Sequence, residues 1–144
     1  MKMPSLSEFK TLAKEGNLVP IYREIMSDLE TPVSAYLKVA AESNYSFLLE
    51  SVQGGEKWGR YSLLGLDPAA IVTVYDQRVE IKHRRKPLEV FTGQNPMVIL
   101  EEYMERFKPV TVPGLPRFHG GAVGYFGYDI VRCFEKIPDE NPDS

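Results

Sequence analysis

Residues Tyr45 to Gly65, which read YSFLLESVQGGEKWGRYSLLG, decide the fold prediction for this chain. An apolar run, Phe47 to Leu49, ends on the polar pair Glu50 and Ser51, and a glycine-containing polar segment separates it from a second apolar run. Short apolar runs bounded by turn residues are typical of buried strands. The stretch therefore predicts two strands joined by a flexible polar connection, the kind of segment that often carries function.

Three helices are predicted from residues that can cap a helix N-terminus. Ser5 precedes a helix from Leu6 to Glu15, and Glu8 completes a capping box. Thr31 and Asn95 each stand before a proline, which suits the first helical position. Helical spacing predicts one buried apolar stripe in each of the last two helices. The stripes consist of Val33, Tyr36, Leu37, Ala40 and Ala41, and of Met97, Leu100, Tyr103, Met104 and Phe107.

Other apolar segments are predicted to be strands. Leu18 to Ile25 is predicted to be a strand with Val19, Ile21, Arg23 and Ile25 on one side, although Pro20 restricts it to an edge or an irregular strand. Ala70 to Tyr75 and Arg78 to Arg84 predict a hairpin, and the glycine-rich segment Gly120 to Asp129 predicts a further strand. Because strands follow one another directly in the middle of the chain, we predict an α+β fold, a mostly antiparallel sheet packed with about three helices.

The composition is typical of a soluble globular protein. Of the 144 residues, 43% are hydrophobic and 26% are charged. The net charge of -3 does not indicate a basic surface for binding nucleic acid. Cys133 is the single cysteine, which suits a reducing compartment. The N-terminus lacks the apolar core of a signal peptide, and no apolar run is long enough to span a membrane. We therefore expect a cytoplasmic protein without a membrane partner.

The polar connection between the first two strands is the main candidate for a binding site. A small zwitterionic ligand would suit Glu50, Ser51 and Arg60, because a carboxylate binds an ammonium group and a guanidinium binds a carboxylate. The alternative is a glycine-turn hairpin with an exposed ion pair, and spacing alone favours that alternative.

The remaining motifs favour structural interpretations. The basic run from Lys82 to Lys86 is interpreted as a solvated strand edge. Glycines between Gly120 and Gly124 lack the lysine and hydroxyl residue of a phosphate loop. His83 and His119 belong to no recognisable triad or metal-ligand spacing. The residues by themselves thus indicate no active site.

Three stretches together resemble the N-terminal domain of the anthranilate synthase component I family of chorismate-utilising enzymes. They are TPVSAYLK from Thr31, FLLESVQGGEKWGRYSLLG from Phe47, and GGAVGYFGYD from Gly120. The resemblance implies that residues 1–144 form the N-terminal, regulatory portion of a larger α/β/β/α fold. It also implies that the catalytic domain, with the residues that bind chorismate and Mg²⁺, lies outside this chain.

The resemblance carries expectations about activity and partners. The complete enzyme would convert chorismate and ammonia to anthranilate and pyruvate in L-tryptophan biosynthesis, with ammonia from a glutamine amidotransferase subunit, component II. The segment alone would be inactive, with no catalytic residue, metal ligand or cofactor of its own. It would contact its own C-terminal catalytic domain and contribute part of the L-tryptophan inhibitor site. The matching positions are Ser51, Glu50 and Leu49, followed by Arg60 and Tyr61.

Two alternatives remain open. The middle motif is shared with aminodeoxychorismate synthase component I of the folate pathway, although TPVSAYLK and the loop VQGGEKWGRYS look more like the anthranilate branch. The other alternative is a stand-alone amino-acid-sensing module without catalysis.

Overall fold

The predicted first strand pair is an antiparallel hairpin in the computed structural model, which describes residues 4–50, 61–75 and 78–138. Strand β1 (Ser46–Glu50) pairs with β2 (Ser62–Leu66) in a register that sets Ser46 opposite Leu66 and Glu50 opposite Ser62. Strands β3 (Ala70–Tyr75), β4 (Arg78–His83) and β5 (Glu89–Thr92) form a second antiparallel sheet in that order. The predicted α+β class is confirmed.

The described residues also contain three α-helices and one 3-10 helix. These are α1 (Leu6–Leu12), α2 (Pro32–Ala40), α3 (Pro96–Glu105) and a 3-10 turn at Tyr128–Cys133. All three predicted N-caps are confirmed, since the side chains of Ser5, Thr31 and Asn95 accept hydrogen bonds from backbone N–H groups in the first turn. None of the described helices has the length and apolar character needed to cross a membrane.

The chain forms two compact units. One comprises Met1–Arg23, Val74–Val79 and Phe91–Ser144, and the other comprises Glu24–Thr73 and Glu80–Val90. Helix α2 and the β1–β2 hairpin lie in the second unit, where α2 contacts both strands. The hydroxyls of Tyr36 and Ser46 share a hydrogen bond of 2.9 Å, which ties the helix to the start of β1.

Strand β2 contains a glycine because the opposite residue of β1 occupies its side-chain position. Gly65 pairs with Phe47, and a Cβ atom at Gly65 would lie 2.2 Å from Cε1 of that ring. Packing an aromatic ring over a cross-strand glycine recovers contact area that the glycine lacks. The apolar interior of this hairpin therefore depends on one large and one minimal residue facing each other.

The predicted apolar stripes of α2 and α3 are buried only in part. In α2, Val33 and Leu37 are 47% and 64% exposed, because a narrow two-stranded hairpin covers only one side of the helix. In α3, Tyr103 is buried as predicted, but Ile99, which the predicted stripe omitted, is buried more deeply than Tyr103. The buried hydrophobic residues among those described are Val79, Ile81, Ile99, Tyr103 and Val110.

Two strand predictions were wrong. Among the described residues, the segment from Leu18 to Ile25 pairs only through an isolated parallel bridge from Leu18 to Pro109, flanked by a 2.9 Å hydrogen bond from Val110 N to Leu18 O. Pro20 has no N–H to continue a ladder. Gly120 to Asp129 is not a strand either, because it pairs with no strand of the described chain, and its residues are all exposed.

Smaller differences concern element ends. Helix α1 stops at Leu12 instead of Glu15. Strand β5 was not predicted, because a strand of four residues is too short to show a periodic pattern of apolar residues. The predicted turn at residues 76–77 lies outside the described residues, as does the C-terminal part of the first strand, which the sequence predicts to run from Tyr45 to Gln53.

Candidate functional site

Three of the five predicted site residues lie at the end of the β1–β2 hairpin where β1 finishes and β2 begins. Leu49 and Glu50 are the last residues of β1, and Tyr61 directly precedes β2. The register sets Leu49 opposite Leu63 and Glu50 opposite Ser62, so Tyr61 follows this end of the ladder. Ser51 and Arg60 lie outside the described residues.

These side chains are accessible to a ligand. Leu49 is 49% exposed and Tyr61 is 66% exposed, and Glu50 is exposed as well. Exposed leucine and tyrosine side chains at one hairpin end offer apolar surface next to a carboxylate. This combination is chemically suited to a ligand with an aromatic body and an ammonium group.

The strand geometry limits how such a ligand could bind. Successive side chains of a strand point to opposite faces, so Glu50 shares a face with Ser46 and Leu48, whereas Leu49 shares the face of Phe47. Ser46 is the residue that bonds to Tyr36 of α2. Because the two side chains point to opposite faces, one ligand could contact both Leu49 and Glu50 only by spanning the end of the hairpin. Otherwise it would have to bind backbone groups at that end.

The described residues do not fit a metal centre. No group of three or more His, Cys, Asp or Glu side chains in ranges 4–50, 61–75 and 78–138 is arranged to hold a metal ion. The ring of His119 bonds to the Pro116 carbonyl at 3.0 Å, and His83 bonds to Glu89 at 2.6 Å, so both rings contact neighbours that orient them. Within these ranges, no cluster of side chains offers a binding site for Mg²⁺.

A perturbed carboxylate lies at the start of α2. This carboxylate is Glu30. The hydrogen bond that Lys38 donates to it, together with a 2.7 Å bond from the Ser34 hydroxyl, holds the pKa of Glu30 below its ordinary value. Ser34 also completes a capping box with Thr31. Because every partner belongs to α2 or its cap, this cluster stabilises the helix start and is not a catalytic site.

Comparison with known proteins identifies relatives over nearly the whole chain. The chain is 45% identical over 143 residues, or 99% of its length, to anthranilate synthase component 1 of Acetivibrio thermocellus. It is 52% identical over 94% of its length to the protein of that name from Pseudomonas aeruginosa, and 40% identical over 96% to that from Aquifex aeolicus. The resemblance to anthranilate synthase component 1 is confirmed.

The match covers only part of those proteins. The chain spans 28% of the length of each anthranilate synthase component 1 named above, which is consistent with their N-terminal domain. No protein-family model matches the chain.

Proposed function

We propose that this chain is the N-terminal, regulatory portion of an anthranilate synthase component 1. The observation that carries the proposal is the 40–52% identity to relatives of that name over 94–99% of the chain. The complete protein would act in the cytoplasm, in L-tryptophan biosynthesis. It would convert chorismate and ammonia to anthranilate and pyruvate, with a glutamine amidotransferase as the ammonia-supplying partner. Mg²⁺ would belong to the catalytic domain and not to this portion.

We further propose that the hairpin end is one side of a site for L-tryptophan as inhibitor. Glu50 would bind the ammonium group, and the exposed surfaces of Leu49 and Tyr61 would contact the indole ring. Ser51 and Arg60 would complete the polar contacts. The catalytic domain would supply the opposite wall, because an allosteric inhibitor must bind two states of the whole enzyme with different affinities.

The activity is tested with the full-length protein that contains this chain. Chorismate and ammonia should produce the fluorescence of anthranilate. Formation of aminodeoxychorismate without anthranilate would instead favour the folate-pathway alternative.

The inhibitor site is tested in the same protein with Ser51→Ala. We expect the concentration of L-tryptophan needed for half inhibition to rise about tenfold, corresponding to one lost hydrogen bond to a charged ligand, with the uninhibited rate little changed. Ser27→Ala is the matched control, because Ser27 is an exposed serine of the same unit outside the hairpin. Unchanged inhibition in Ser51→Ala would remove Ser51 from the site.

Binding to the 144-residue chain separates the regulatory proposal from the amino-acid-sensing alternative. If the catalytic domain supplies half of the pocket, calorimetry should detect little or no L-tryptophan binding to this chain by itself. Micromolar binding to the chain alone would favour the stand-alone sensing module.

A further inference from the structure

A small open cavity lies beside the base of the β1–β2 hairpin, away from the end that carries Glu50. Its volume is about 190 Å³, and all its lining residues belong to the unit formed by Glu24–Thr73 and Glu80–Val90. Its lining includes Tyr45 and Asp67, which flank the first and last residues of the hairpin ladder. The end of β4 and the residue that follows it also line the cavity.

Three residues of the basic run line the cavity, namely Lys82, His83 and Arg84, whereas the other two members of the run do not. The side chain of His83 is only 7% exposed, and its Nε2 bonds to Glu89 Oε1 at 2.6 Å. Within the described ranges, no carboxylate forms an ion pair with Lys82 or Arg84. The sequence pattern had indicated a solvated strand edge for the entire run.

Two acidic residues, Glu42 and Asp67, also line the cavity. Asp67 has a φ of 49°, in the left-handed region, which glycine, asparagine and aspartate adopt more readily than other residues. The Ser43 hydroxyl lies 2.8 Å from the Tyr45 carbonyl and 3.2 Å from Oδ1 of Asp67, so these two acceptors share its one proton. The N–H of Asp67 donates to the Tyr45 carbonyl at 3.2 Å.

Size and charge together define the ligand. A cavity of about 190 Å³ has room for a small metabolite. Two acidic residues and two lysine or arginine residues among its lining leave little net charge, so a ligand that carries both charges suits it better than a simple anion or cation.

We propose that this cavity binds a small zwitterion, with its anionic group at Lys82 and Arg84 and its ammonium group at Asp67 and Glu42. This site is separate from the hairpin end proposed for L-tryptophan. The proposal does not depend on the proposed function, since none of its residues belongs to the predicted inhibitor site.

The test is a titration of the isotopically labelled 144-residue chain, followed by amide NMR, with L-serine as the zwitterion. Acetate, inorganic phosphate and methylammonium serve as ligands that carry only one of the two charges. We expect L-serine at millimolar concentrations to shift the amides of residues 67 and 82–84, with the singly charged ligands binding about tenfold more weakly because each lacks one charge-assisted contact.

Matched variants locate the binding. Lys82→Gln and Asp67→Asn should each weaken L-serine binding about tenfold, and asparagine keeps the left-handed backbone favourable while removing the charge. Lys86→Gln is the control, because Lys86 belongs to the same basic run but does not line the cavity. The amide spectrum of each variant away from the cavity should remain that of the unaltered chain, which reports that the variant is folded.

Several results would overturn the proposal. One is the absence of shifts at residues 67 and 82–84 with tens of millimolar L-serine. Equal binding of acetate or phosphate would show an anion site instead of a zwitterion site. Equal weakening by Lys82→Gln and Lys86→Gln would show a general charge effect. L-serine shifts confined to the hairpin end would support a site there and refute this one.

Discussion

Replacing Gly65 by alanine tests whether the contact between Phe47 and Gly65 sets the packing of the hairpin that carries the candidate inhibitor site. The added Cβ would lie 2.2 Å from Cε1 and 2.6 Å from Cζ of the Phe47 ring, so the ring or the strand must move. Overpacking of this kind costs about 1–3 kcal/mol. Gly65 is not among the glycines with positive φ, so alanine would also restrict the unfolded chain and recover about 0.4–1 kcal/mol. The expected net loss in the free energy of unfolding is about 1–2 kcal/mol.

The assay is urea unfolding followed by far-ultraviolet circular dichroism, performed as a double-mutant cycle. Phe47→Leu removes the ring carbons that would clash but keeps an apolar side chain. In that background, Gly65→Ala should cost little or become stabilising, since the new methyl group finds space. Gly124→Ala is the matched control, because a Cβ at Gly124 meets no atom within 4 Å. Equal destabilisation by Gly65→Ala in both backgrounds, or an effect no larger than that of Gly124→Ala, would refute the steric argument.

Two further predictions concern stability. Asn17→Ala should lower the free energy of unfolding by about 1–3 kcal/mol. The reason is that the Asn17 side-chain amide donates to the Arg106 carbonyl and accepts from Lys108 N–H, both at 2.7 Å. A urea midpoint equal to that of the unaltered chain would contradict this prediction. Because folding lowers the pKa of Glu30, its ionised form stabilises the fold above the pKa of the unfolded state, and that contribution is lost as pH falls through the lower folded-state pKa. Glu30→Gln should therefore remove part of the loss of stability in acid, measured as urea midpoints against pH, and an unchanged acid limb would show that the Glu30 cluster does not contribute.

Local signals predicted helix starts well. A capping residue and a proline at the first helical position act within one turn of backbone, so Thr31 and Asn95 could be identified from their immediate neighbours. Which helix face is buried depends on what packs against it. The predicted stripe of α3 missed Ile99 for this reason, and Leu37 of α2 is exposed although it lies on the predicted apolar face.

Strand prediction depended on partners in the same way. The run from Phe47 to Leu49 is a strand because a second apolar run pairs with it across the hairpin. The segment Gly120 to Asp129 contains five apolar residues among ten but pairs with no strand in the described chain, and its backbone is not a strand. A strand without a partner has no ladder of hydrogen bonds to stabilise it.

The sequence by itself determined the helix starts, the hairpin, and the resemblance that names Glu50 and its neighbours as site residues, because these depend on short-range chemistry or on direct residue matches. Only the tertiary structure decided that Tyr61 lies at the same end of the ladder as Glu50, because this follows from the register of β1 against β2. The tertiary structure likewise brought Asp67 to the cavity that three residues of the basic run line. Contacts between residues distant in the chain depend on how the backbone folds back on itself, and no local pattern of residues encodes that path.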